Sequence, residues 1–120
     1  MADYVDGFVI PVPRKNLAAY KRMANWGRKT WMKYGALQYF ECFGHDLKVK
    51  PGCGLPFPKG ARAKAGETVV FAFITYKSKA HRDAVNAKVM KDPALKNASP
   101  KMPFDVNRMM YGGFKVVVEG

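Results

Sequence analysis

Leu17, Tyr20, Ala24, Gly27, Trp31 and Tyr34 recur at intervals of three and four residues, an apolar stripe down one side of a helix predicted over about Asn16 to Tyr34. A helix with one such stripe has to bury it against another layer. Ala24 and Gly27 in mid-stripe predict a close approach to that layer, and Gly35 supplies the stop. The outward side carries Lys21, Arg22, Arg28, Lys29 and Lys33 with no acid to balance them. The flanking segments say what the stripe packs on. Tyr4 to Val12 reads as a strand, closed by Pro11-Val12-Pro13, and Leu37 to His45 as a second, rich in aromatic residues. Thr68 to Tyr76 is a third. Ser78 caps a second helix, Lys79 to about Lys91, stopped by Asp92-Pro93. After an irregular stretch from Ala94 to Asn107, Met109 to Val118 forms the last strand.

The order β-α-β-β-α-β predicts an α+β fold of the ferredoxin-like kind, a four-stranded antiparallel sheet with two helices on one face. A length of 120 residues suits one domain, 1–120, in which 46–66 is a long loop with four glycines and three prolines. The 21 basic residues outnumber the 9 acidic ones by 12, so a non-specific affinity for polyanions is expected whatever the function. Val69 to Ile74, the longest apolar run, is too short to span a bilayer. Met1-Ala2-Asp3 lacks the basic and apolar start of a signal peptide, and two cysteines are few for a disulfide scaffold. The expectation is a cytoplasmic protein with no membrane partner.

Strand side chains alternate between faces. Val5, Gly7, Val9, Phe40, Cys42, Val70, Ala72, Ile74, Phe114 and Val116 are expected beneath the helices. Tyr4, Asp6, Phe8, Tyr39, Glu41, Phe43, Phe71, Phe73, Tyr111 and Lys115 are then expected on the open face. An open face with so many rings calls for a cover. A second copy packed sheet to sheet satisfies it, as do single-stranded RNA bases stacked on Phe8, Phe71 and Phe73, or a partner protein. RNA stacking has some support in Phe71 to Tyr76, which matches the end of an RNA-recognition strand signature.

Asp6, Glu41 and Lys115 are the candidate catalytic groups, because carboxylates on a covered face tend to hold their protons and suit proton transfer. A structural salt bridge is the plain alternative for the same three charges. Phe8, Tyr39, Phe43, Phe71, Phe73 and Tyr111 are the candidate binding residues. Trp26 lies off the buried stripe, as a lid, a protein contact or a shield over a neighbour. Cys42, Cys53, His45 and His81 lack metal-site spacing, so no metal is expected. Gly52-Cys53-Gly54 lacks the lysine-hydroxyl pair of a phosphate loop, Ser78 and Ser99 lie in no nucleophile elbow, and no cofactor is implied. Asn97-Ala98-Ser99 has glycosylation form, disfavoured by Pro100.

Several blocks together carry a family resemblance: Tyr4 to Pro13, Gly35-Ala36-Leu37, Gly66 to Phe71 and Tyr76 to Asp83. Asn86 to Met90, Met102 to Asp105 and Arg108 to Lys115 extend it over nearly the whole chain. The sequence resembles the YbaA-like family of small bacterial proteins of unknown function. Pro51 to Pro56 departs from that pattern. The resemblance implies a ferredoxin-like domain that dimerises as an α/β barrel. The expectation that follows is a homodimer enclosing a small organic molecule between its sheets, with cofactor-free chemistry if it is an enzyme. The alternatives are an RNA-binding module and a structural dimer with a dry core.

Overall fold

The computed structural model describes residues 2–96 and 101–120. Strand β1, Tyr4–Pro13, leads through a tight helical turn, Arg14–Asn16, into helix α1, Leu17–Lys33. There the chain stops as glycine chemistry dictates. Gly35 takes φ 108°, Ala36 N–H donates to the Trp31 carbonyl at 3.1 Å, and Gly35 N–H donates to that of Met32. Strand β2, Gln38–Phe43, follows, and then the long loop, which folds one short turn, α2, Phe57–Gly60. Strand β3, Glu67–Tyr76, runs into helix α3, Lys79–Met90, where the Ser78 hydroxyl accepts the His81 N–H at 3.1 Å as the expected cap. A turn at Pro93–Lys96, α4, falls within the stretch expected to be irregular, and strand β4, Met110–Lys115, is shorter than the sequence reading at both ends. Asn97-Ala98-Ser99 lies outside the described residues.

The sheet order is β2-β3-β1-β4, every pairing antiparallel, so the ferredoxin-like arrangement is correct. The barrel is not. Closure needs the two edge strands to meet, and β2 and β4 stand at opposite ends of a sheet only four strands wide. The layer stays open. The expected homodimeric α/β barrel, and the pocket between its sheets, are therefore withdrawn. Among the described residues no helix is long and apolar enough to cross a membrane.

One side of the sheet holds the core. Ile10, Val12 and Val70 pack with Tyr20 and Ala24 of α1 and with Phe104, while Ile74 and Tyr76 pack with Val85 and Val89 of α3. A clasp closes one end of this layer. The Arg108 guanidinium bonds both Glu67 oxygens at 2.7 Å, Asp105 at 3.1 Å and the Arg62 carbonyl at 3.0 Å. Arg62 itself sits at φ 57°, a strained conformation for a residue with a Cβ, and the clasp holds it there.

Tyr76 carries a testable cost. Its hydroxyl is buried without a hydrogen-bond partner among the described residues, since the nearby Trp31 indole N–H donates to Asn86 at 3.0 Å. Tyr76→Phe is expected to raise the unfolding free energy by about 1 kcal/mol in urea titration. A loss of similar size would mean that the hydroxyl has a partner after all.

Candidate functional site

The strand registers settle which residues lie beneath the helices. Tyr4, Asp6, Phe8, Ile10 and Val12 of β1 stand opposite Tyr76, Ile74, Ala72, Val70 and Thr68 of β3, and so share their face. Tyr39, Glu41 and Phe43 of β2 join them, as do Tyr111 and Lys115 of β4. Three strands thus present the opposite face from the one their composition had implied. The open face is made chiefly by Val5, Gly7, Val9, Phe40, Cys42, Phe71, Phe73, Met110, Gly112 and Phe114, none of them charged; the one acid of the β3 series, Glu67, lies at its end and is paired with Arg108. Cys42, expected in the core, is exposed. The stacking platform for RNA is broken, because Phe8 belongs to the core layer while Phe71 and Phe73 remain on the open side.

Burying Asp6 and Glu41 works because each is met by a partner from a helix. Arg82 of α3 reaches Asp6 at 3.1 Å and the Tyr4 hydroxyl at 3.2 Å, its guanidinium lying over the Tyr4 ring. Burial pushes the Asp6 carboxyl above its ordinary range, and Arg82 only partly offsets that. Glu41 accepts from the Tyr20 hydroxyl of α1 on one oxygen and from the Tyr39 hydroxyl on the other, both at 2.7 Å. Burial first, and the Glu41 charge next, push both tyrosine pKa values upward, so both hydroxyls stay donors at neutral pH. Lys115 is exposed at the edge, opposite Tyr4.

Asp6, Glu41 and Lys115 are therefore not a constellation. Asp6 and Glu41 sit on either side of β3, opposite Ile74 and Ala72, which puts their strands about 10 Å apart. The candidate binding residues divide likewise. Phe43 meets the Tyr20 ring edge-on at 6.0 Å, and Phe8 stacks on Tyr111 at 5.9 Å. Phe71 and Phe73 meet edge-on at 5.8 Å, and Phe57 of α2 folds down onto Phe71. Part of the long loop thus lies over one end of the open face.

The structure brings Phe8, Tyr39 and Glu41 together around a cavity of about 230 Å³ between α1 and the sheet. Its walls are Ile10, Ala72 and Ile74 from below, with Tyr20, Met23, Ala24, Trp26, Gly27 and Trp31 from α1. Met102, Phe104 and Met109 close the far end. Gly27 leaves room for the Tyr39 hydroxyl, which lies 2.7 Å from where a Cβ would stand. Trp26, off the apolar stripe, turns out to line this cavity together with Met23 and Met102, and the same three border a wider surface groove. On its other side Glu41, with Ala24 and Tyr39, forms part of a groove of about 390 Å³ that Lys21 and Arg28 line. Tyr20 was legible only as a stripe residue; its hydroxyl was the missing sign that a carboxylate could lie beneath α1. Met23, Met102 and Met109 carried no sequence signal of their own. Among the described residues no group of three His, Cys, Asp or Glu side chains could hold a metal ion.

Comparison with known proteins places the chain among relatives of the same size. It is 42% identical over 116 residues to "Uncharacterized protein YbaA" of Escherichia coli strain K12, covering 97% of each chain. Proteins of that name in Escherichia coli O157:H7 and Shigella flexneri match to the same extent. A family model described as "Protein of unknown function (DUF1428)" matches residues 3–106, and the chain belongs to that family.

Proposed function

We propose that the protein binds a small organic molecule in the cavity beneath α1, with Glu41 as its polar anchor. The supporting observation is an apolar space of about 230 Å³ whose wall holds one carboxylate fixed by two tyrosine hydroxyls. Ligand sites commonly have this make-up, an apolar lining with a few convergent polar groups. Engineered apolar cavities of roughly 150 Å³ admit benzene, so this one has room for a phenyl ring with a short chain.

Trp26 and Trp31, the chain's two tryptophans, both line the space, so their fluorescence responds to its occupation. Titration with 2-phenylethanol is expected to change that fluorescence saturably. Ala72→Leu, which fills the floor, is expected to abolish the change while the protein stays folded. An equal response in the filled variant places the probe elsewhere and removes the reading.

A second reading rests on charge. Residues 14–34 carry seven basic residues and 47–66 carry five, neither stretch holds an acid, and the two together account for the excess of twelve. They meet where Arg14 N–H donates to the Gly66 carbonyl at 2.9 Å. This basic surface suits the phosphates of a nucleic-acid backbone. Affinity for a labelled oligonucleotide is expected to fall linearly on logarithmic salt axes and to weaken alike for every sequence in Arg22→Ala/Lys29→Ala. Salt-independent affinity would remove this second reading.

A further inference from the structure

We propose that the ligand of the cavity is an organic ammonium, a protonated amine on an apolar body of phenyl size. This rests on the cavity reading above and names its chemistry. Asp6, Glu67, Asp83, Asp92 and Asp105 each have a Lys or Arg within ion-pair distance. Asp3, Asp46 and Glu119, all exposed, have none; among the acids that are at least partly buried, Glu41 alone has none among the described residues, in a chain with 21 basic side chains to offer. Its charge is met by two neutral hydroxyls alone, each on a different oxygen, and each oxygen keeps a lone pair for a further donor. A carboxylate so placed accepts a cation more readily than a neutral group or an anion.

The walls favour the same cation. Phe8, Tyr20, Trp26, Trp31, Tyr39 and Phe104 line the space, and the electron-rich faces of such rings attract ammonium groups. The Trp31 and Tyr39 rings are 6.4 Å apart beside the carboxylate. The positive net charge of the chain opposes entry only weakly, since exposed charges are screened beyond roughly 8 Å at physiological salt. Lys21 and Arg28 line the outer groove on the other side of Glu41 and make no ion pair with a described residue. They leave two sources of the ammonium open, a simple monoamine and an apolar amino acid whose carboxylate they would hold.

Tryptophan fluorescence of the full chain decides, with phenethylamine and its neutral isostere 2-phenylethanol as probes at pH 7. The amine is expected to bind at least about tenfold more tightly, and Glu41→Gln is expected to erase that preference, bringing the amine's affinity to within about twofold of the alcohol's in the same variant. Equal affinities in the unaltered protein overturn the ammonium and leave the cavity reading standing. Binding of neither probe at millimolar concentration overturns both. Should Glu41→Gln fail to fold, the amine-to-alcohol ratio in the unaltered protein still decides. L-phenylalanine binding more tightly than phenethylamine, with that advantage lost in Lys21→Ala/Arg28→Ala, supports the ammonium and assigns it to an amino acid. The reverse order supports it and assigns it to a monoamine.

Discussion

Glu67→Gln is expected to lower the unfolding free energy at pH 7 by about 2 kcal/mol, and to remove much of the protein's sensitivity to acid. The Glu67 side chain is only 7% exposed, and two parallel bonds from Arg108 hold both its oxygens. Those bonds, opposed by burial and helped by the Lys64 backbone N–H, bring its pKa from 4.5 down to about 2. A carboxylate whose pKa is lower in the folded state stabilises that state when ionised. The contribution is therefore complete above about pH 4.5 and fades as the pH falls towards about 2. The full linkage energy of such a shift is about 3 kcal/mol; the lower figure allows for solvent screening at the rim of the sheet. Urea titrations from pH 7 down to pH 2 test it. The two proteins should differ most at neutral pH and converge in acid. Coincident curves over that range would mean that the clasp adds nothing to stability, and parallel but separated ones that the Glu67 charge is not what it contributes.

The residues of that clasp show what kind of information the sequence holds. Strands and helices announce themselves locally, through the stripe on α1, the β-branched run in β3, the Ser78 cap and the Gly35 stop. Contacts between distant segments do not. Nothing in the chain joins Glu67 to Arg108 until β3 and the turn before β4 come together. The faces were misread for the same reason. Alternation divides a strand into two sets but does not say which set the helices cover. Charge appeared to answer, since Asp6 and Glu41 looked out of place beneath a helix, yet Arg82 and Tyr20 wait on the helices to receive them. A better guide lay within β1 itself. The series containing Asp6 and Phe8 continues into Ile10 and Val12, both buried, while the opposite series contains Gly7, which fills no core. The barrel came from resemblance, and closure depends on the number, tilt and stagger of the strands, which no pattern of residues along one strand records.

Gly27→Ala is expected to have opposite signs in two backgrounds, a reversal that a purely local role for this glycine could not produce. Replacing a mid-helix glycine by alanine normally gains about 1 kcal/mol. Here the new Cβ would stand 2.7 Å from the Tyr39 hydroxyl, too close for either to remain. That hydroxyl is one of the two donors holding Glu41, and a hydrogen bond to a charged group contributes about 2 kcal/mol. Displacing it outweighs the helical gain, so Gly27→Ala should destabilise the unaltered protein by about 1 kcal/mol. With Tyr39→Phe already in place the clashing oxygen is gone, and the nearest ring carbon lies at an ordinary 3.5 Å. In that background the same alanine should stabilise by about 1 kcal/mol, a coupling of about 2 kcal/mol across the cycle. Urea titration of the four proteins measures it. Additive effects would show that Tyr39 can leave Glu41 without cost. The glycine would then be there for helix packing alone, and the cavity beneath α1 would lose the fixed carboxylate on which its binding chemistry depends.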